Sequence, residues 1–264
     1  MQNAFKKRQN LVHRTLELWR PPVFAIDGGR WQKLKAAIRR YFDLQAGSAW
    51  TDLCAELPKV SGTIIDVGCG AQPFRSLIPS QAKYIGIDTI DAKSNFGYDV
   101  PDTIYFSGDT WPIENESVDS VLCSETLEHV LEPDLFLKEM HRCLRSQGRV
   151  ILTVPFAARW HFIPYDYWRF TPASLNHLLS KAGFIGIKVY ARGNAVTVAC
   201  YKVMALILSL LLSQSPHRFH VVIYRIVGLL TSPGLIILAT IANISLKMQG
   251  GDDCLGYTVL ANRD

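Results

Sequence analysis

The chain lacks any C-x-x-C pair. Its six cysteines, Cys54, Cys69, Cys123, Cys143, Cys200 and Cys254, are scattered, so neither a thiolate zinc site nor a disulfide framework is indicated. A reducing cytoplasm is the expected home. The start, MQNAFKKRQNLVHRTLELWRPP, has no apolar run, and no secretory signal is expected from it. Internal repeats and low-complexity tracts are also absent. Charge is sparse: 28 Lys and Arg stand against 23 Asp and Glu, a net +5. Lys6, Lys7, Arg8, Arg14 and Arg20 crowd the start, a surplus that allows contact with anionic lipid or substrate but is also what a solvated surface looks like. What is plentiful is apolar bulk, 48% of 264 residues, enough for one large domain or one domain with an appendage.

Residues 30–57 carry helical spacing through Leu34, Ile38, Tyr41 and Phe42. Short β-branched runs then predict strands near 62–67, 84–88, 103–106, 118–123, 149–154, 185–191 and 254–260. Between them, Leu137, Met140 and Leu144 share one face of a helix over 134–145, with Gly148 placed to cap it. Thr171, Pro172 and Gly183 bracket another helix in FTPASLNHLLSKAG. Strands alternating with helices predict an α/β fold with a parallel sheet covered on both faces. The last third departs from this alternation. Residues 196–213 and 221–245 are apolar and are separated by a polar QSPHRFH before a final strand. The expected organisation is a helical segment 1–57, a core 58–195, an apolar helical insertion 196–248 and a last core strand in 249–264.

The stretch TIIDVGCGAQPFRSL, residues 63–77, puts Asp66 at a strand end and Gly68 and Gly70 in the turn after it. Such a turn offers free backbone N–H groups where open α/β sheets bind ligands, and glycine lets a ligand approach without Cβ obstruction. A dinucleotide fingerprint would want a third glycine where Pro73 stands, and pyrophosphate would not favour the Asp66 carboxylate. A nucleotide-dependent oxidoreductase or epimerase is disfavoured on that ground. S-adenosylmethionine, with an ammonium, a sulfonium and no phosphate, suits the acid. YIGID then ends at Asp88, about twenty residues on, where a carboxylate for ribose hydroxyls is expected. TIYFSGD ends at Asp109, a polar reader, with Trp111, Pro112 and Ile113 as an apolar wall for adenine.

Four marks in order, IIDVGCG, YIGID, GDTWPIENESVDSVLCSETLEHV and FLKEMHRCLRSQGRVILTVPF, resemble the class I S-adenosylmethionine-dependent methyltransferases, in particular the type 11 group. VPFAARWHFIPYDYWRFTPASLNHLLSKAGF looks similar to a subgroup often encoded with polysaccharide or glycolipid genes. The resemblance implies a Rossmann-like sheet ordered 3-2-1-4-5-7-6 with strand 7 antiparallel. It also implies a cofactor site of Asp66, Gly68, Cys69, Gly70, Asp88, Thr89, Gly108, Asp109, Thr110, Ser124 and Glu125, with S-adenosylmethionine as cofactor.

Methyl transfer from a sulfonium is an in-line displacement, so the enzyme supplies alignment and, for a hydroxyl acceptor, a base. His129, after strand 4, and His161, after strand 5, are the base candidates. Tyr165, Asp166 and Arg169 complete a polar, aromatic loop read as a lid, with Arg169 anchoring an anionic or carbohydrate group; a brace for the sheet is the competing reading. His161 and Asp166 lack a third ligand, so no metal is expected. The uncharged stretches, fourteen residues between Lys202 and His217 and twenty-one between Arg225 and Lys247 broken by Pro233 and Gly234, predict a kinked helical pair in a membrane interface. A homodimer interface or a helical cap over the core is the alternative use. With no N/D-P-P-Y tetrad and no basic stripe by the site, nucleic acid is not an expected partner. The expected activity is O-methylation of a lipid-linked glycan, glycolipid or other small molecule at the cytoplasmic membrane. Nitrogen or carbon methylation, and a degenerate fold serving as a membrane-attached partner, are the alternatives.

Overall fold

The computed structural model of the protein describes residue 11 and residues 29–96, 99–212 and 218–264; the five basic residues that crowd the start lie outside them. Seven strands, β1 (Thr63–Val67), β2 (Lys83–Thr89), β3 (Thr103–Phe106), β4 (Val118–Ser124), β5 (Leu144–Pro155), β6 (Phe184–Arg192) and β7 (Gly256–Arg263), form one sheet. Its order is β3-β2-β1-β4-β5-β7-β6. The first five strands pair in parallel, and β7 runs antiparallel between β5 and β6. This is the Rossmann-like α/β architecture expected from the sequence.

The accompanying helices are α1 (Arg30–Phe42), α2 (Leu44–Glu56), α3 (Ile90–Phe96), α4 (Pro133–Cys143), α5 (Pro172–Lys181), α6 (Ala195–Leu211), α7 (Arg218–Thr231) and α8 (Pro233–Ser245). Because side chains alternate across a strand, the apolar runs of the central strands feed two layers. Ile65, Val67, Val121, Cys123, Val150 and Leu152 face Leu137 and Met140 of α4 and Leu175 and Leu179 of α5. Ile64, Leu122 and Ile151 face Leu53 of α2 and Leu57 beyond it. Burying each such side chain stabilises the fold by about 1.5–3 kcal/mol, which is why a strand covered on both faces reads as a continuous apolar run.

The local signals acted mostly as read. Thr171 accepts from the Ser174 N–H at 3.2 Å while the Ser174 hydroxyl accepts from the Thr171 N–H at 2.9 Å, a reciprocal cap at the start of α5. Three expectations need correction. The 30–57 helix breaks at Asp43, whose carboxylate accepts from the Ala46 N–H and starts α2 anew. Gly148 caps nothing: α4 stops at Cys143, Leu144 already pairs with Val118, and Gly148 lies at the irregularity before Arg149 pairs with Ser120. The last strand begins at Gly256, not 254, and continues to Arg263.

The apolar insertion forms a third layer. Val198, Cys200 and Met204 of α6 and Ala239 and Ala242 of α8 bury against Leu44 and Leu255. The Tyr41 hydroxyl lies 2.6 Å from the Thr240 hydroxyl, and Asn243 donates to the Tyr41 carbonyl at 3.0 Å, so α1 belongs to this layer. α7 and α8 are bent by 53° where Pro233 cannot donate to the helical ladder. Among the described residues no single helix is long and apolar enough to cross a membrane, but the bent α7–α8 pair has the length and composition to do so.

Candidate active site

The carboxyl ends of β1, β2 and β4 meet at one place. After β1 the chain turns through Gly68 and Gly70, at φ +68° and +49°, and the Gly68 and Cys69 N–H groups both donate to the Ile87 carbonyl. The turn is thus folded onto β2. A Cβ at Gly68 would lie 2.2 Å from the Thr126 methyl, so this glycine admits the loop that follows β4. Asp88 accepts from the Gly70 N–H at 2.9 Å and from the Thr89 N–H at 2.8 Å. Asp66 accepts from the Tyr84 hydroxyl at 2.9 Å.

Both carboxylates are buried. Burial pushes Asp66 up to about 7, the Tyr84 hydrogen bond opposing and the Asp88 charge adding to it; burial likewise raises Asp88. Burial and these two acids also raise the Cys69 thiol, which makes it a spacer and not a nucleophile. Two neighbouring buried acids, each disfavoured as an anion, form a donor set suited to a cation.

Gly108, Asp109 and Thr110 are exposed beyond β3. Trp111 does not offer an adenine wall: its ring is buried on Phe136, 5.1 Å between centroids at 71°. At the end of β4, the Ser124 hydroxyl faces Thr153 at 2.9 Å. Glu125, at φ +50°, pairs with Arg192 of β6 at 2.7 Å, so its carboxylate is engaged from within the protein.

The residues expected on the acceptor side converge at the turn Leu127–His129. The His129 Nδ1 lies 2.7 Å from the Tyr165 carbonyl oxygen, and burial lowers its pKa to about 4, so the ring is neutral with its proton on Nδ1. His161 stands 5.1 Å from His129, ring to ring, and its Nδ1 is 2.9 Å from Asp166. The loop is fastened to the turn: the Tyr167 N–H donates to the Glu128 carbonyl and the Trp168 indole to the Val130 carbonyl. Burial opposes ionisation of Asp166, but hydrogen bonds from Arg169 and His161 outweigh it and hold the carboxyl below its usual range. Arg169 is not presented as an anchor, since both terminal nitrogens bind Asp166, at 2.6 and 2.7 Å. Beside this cluster is a cavity of about 280 Å3 lined by Ala158, Trp160, Asp166, Tyr167, Trp168 and Arg169. A larger cavity of about 370 Å3, lined by Lys59, Asp119, Arg145 and Arg149 among others, sits at the amino ends of the strands, away from every carboxylate just described. Tyr84, Arg192 and Glu128 were not singled out from sequence; Glu128, beside His129, carried the one available signal.

A model of the methyltransferase domain matches residues 38–189. The chain belongs to this methyltransferase family. Among solved structures, an S-adenosylmethionine-dependent methyltransferase from Archaeoglobus fulgidus is similar at 15% identity over 89% of this chain and 95% of that one, with a TM-score of 0.50. A possible histamine N-methyltransferase from Thermotoga maritima gives 15%, 88%, 97% and 0.49. Phosphoethanolamine N-methyltransferase 2 from Haemonchus contortus, in complex with S-adenosyl-L-methionine, gives 16%, 81%, 52% and 0.45. No curated protein matches the sequence. The Archaeoglobus structure supports the methyltransferase fold, and the family match stops short of α6, α7, α8 and β7.

For this methyltransferase the raised Asp66 has a consequence for ligand affinity. Below pH 7 a proton competes with a cationic ligand for the carboxylate, so affinity for S-adenosylmethionine should fall by up to about tenfold per pH unit between 7 and 5.5. Asp66→Asn should bind more weakly at pH 7 and lose that slope. Calorimetry across the range checks it, and an unchanged slope in the variant would exclude Asp66 as the titrating group.

Proposed function

We propose that the protein transfers the methyl group of S-adenosylmethionine to an oxygen of a glycan, glycolipid or other membrane-associated small molecule. The observation that carries this reading is the adjacency of two unlike surfaces: the histidine and aspartate cluster after β4 and β5, and the apolar layer, which packs on Ala157 at the start of the loop after β5 and whose Lys202 donates to the Ala157 carbonyl. Asp66, Gly68 and Gly70 would line the methionine end, Asp88 the ribose and Asp109 the adenine. When bound, the sulfonium supplies an electrophilic methyl carbon. Transfer of that methyl to an acceptor hydroxyl would leave S-adenosylhomocysteine, and His161, whose Nδ1 is held by Asp166, would take the hydroxyl proton. Neutral His129 and the fastened loop exclude water and fix the acceptor against the methyl.

Residues 195–251 contain Lys202, Arg218, Arg225 and Lys247 and no acid, and α1 contains five basic residues and no acid. On this layer Trp31 is 77% exposed, Phe219 73% and Leu230 75%. Apolar side chains on helices that carry cations and no acid fit the headgroup region of an anionic membrane, each cation near the surface contributing about 1 kcal/mol. The expected site of action is therefore the cytoplasmic membrane surface.

Labelled S-adenosylmethionine offered with lipid extracts and sugar nucleotides should label an alkali-stable ether in the lipid or glycan fraction; label on a nitrogen instead would replace the acceptor assignment. Flotation with phosphatidylglycerol vesicles tests the surface: intact protein should float, and Leu229→Asp/Leu230→Asp, which alters exposed positions only, should not. Equal flotation rejects the membrane reading. A dimer turned monomer by the variant, with no vesicle binding by either, assigns the face to self-association.

A further inference from the structure

Glu128 is fully buried, and neither carboxylate oxygen has a hydrogen-bond partner. Such a group costs several kcal/mol unless a proton or a cation meets it. The nearby guanidinium, Arg169, is already matched by Asp166. Around Glu128 stand two imidazoles: His129 Nε2 lies 3.7 Å from Glu128 Oε1, and one ligand atom from each of Glu128, His129 and His161 lies within 4.8 Å of the other two.

The chemistry of this set is specific. A carbonyl oxygen only accepts, so His129 carries its proton on Nδ1 toward Tyr165, and Nε2, on the Glu128 side, bears the lone pair. A backbone carbonyl on one ring nitrogen and a carboxylate on the histidine beside it are the outer partners that orient metal-binding imidazoles. Asp166 stands in that relation to His161. We propose that Glu128, His129 and His161 form a binding site for one divalent transition-metal ion, with zinc the first choice. Two imidazoles and one carboxylate suit zinc or its neighbours and not magnesium or calcium, which take oxygen ligands. With bonds of about 2.0–2.2 Å, tetrahedral ligand atoms stand about 3.3 Å apart, so closure from the present separations needs side-chain shifts of about 1 Å. His161, 19% exposed at its side chain, marks the open side, where a fourth ligand can enter.

The binding claim stands without the proposed acceptor; its consequence for turnover rests on that reading. An acceptor hydroxyl entering the open position would be acidified by coordination and would release its proton to solvent on the open side, and His161 would serve as ligand in place of base.

Full-length protein stripped with a chelator and titrated with Co2+ should take up one equivalent with visible d–d absorption, displaced by Zn2+. Glu128→Gln and His161→Ala should each lose more than the roughly 10–100-fold in affinity that removal of an outer partner costs, with circular dichroism unchanged. Should Glu128→Gln fail to fold, His161→Ala decides. No uptake by the intact protein, or uptake that His161→Ala leaves unaltered, overturns the site. Calorimetry with S-adenosylhomocysteine on the same samples reads the nucleoside site separately, so intact nucleoside binding without metal uptake rejects the metal site alone.

Discussion

Asp88→Ala should weaken S-adenosylhomocysteine binding by about 100-fold or more, close to 3 kcal/mol, since each hydrogen bond to a charged group contributes about 1.5–3 kcal/mol. Asp88 acts twice in the site. Its oxygens receive the Gly70 and Thr89 N–H groups, which fixes the turn after β1 against the tip of β2, and their remaining lone pairs are available to ribose hydroxyls. Asp88→Asn keeps the shape and one acceptor, so it should fall between the wild type and the alanine variant. His161→Ala, beyond β5 and outside this turn, should leave the affinity unchanged and slow turnover by about 100-fold or more. Calorimetry on the three variants reads the result. Equal losses in Asp88→Ala and His161→Ala would mean that the nucleoside and acceptor sides are not separate.

Arg192→Ala should destabilise the fold by about 1–3 kcal/mol, the cost of leaving a buried polar group without its partner. Arg192 is 3% exposed and donates to Glu125 at 2.7 Å, to the Val154 carbonyl at 2.9 Å and to the Gln45 carbonyl at 3.4 Å. It therefore joins β6 to the tip of β4, to β5 and to α2. Truncation leaves the buried Val154 carbonyl without this donor, where water does not easily reach it, whereas Glu125, 31% exposed at its side chain, can turn to solvent. Urea unfolding measures the loss. A double-mutant cycle with Glu125→Ala separates the ion pair from the carbonyl contacts. A loss below about 1 kcal/mol, the level of an exposed pair, would show that Arg192 is solvated in the native state.

The strands were legible because the central ones are buried on both faces, so their apolar runs stand out from the amphipathic helices between them; their order followed from the family resemblance and not from the runs. Boundaries were less so. Gly148 reads as a helix cap from its neighbours alone, yet Leu144 gains more by pairing with Val118 than by continuing α4. Trp111 follows an exposed Asp109, and nothing local reveals that its ring turns back onto Phe136. Asp66, Gly68 and Gly70 could be read from spacing, since turn chemistry is local. The Glu125–Arg192 and Glu128–His161 relations could not, because each links residues far apart in sequence. Arg169 misled for another reason: Asp166 is only three residues away, but nothing local showed that the loop folds its carboxylate onto the guanidinium.

Strand β6 pairs only with β7 among the described residues, and the acid-free helices lie between them in the chain. While the polypeptide emerges from the ribosome, β6 must therefore wait, its edge bare, until residues 193–255 have been made. Those helices leave the ribosome before the strand that completes the sheet, so a lipid surface would be met by a half-built protein. Attachment would then precede closure, and a nascent chain denied that surface would be the one most exposed to aggregation through β6.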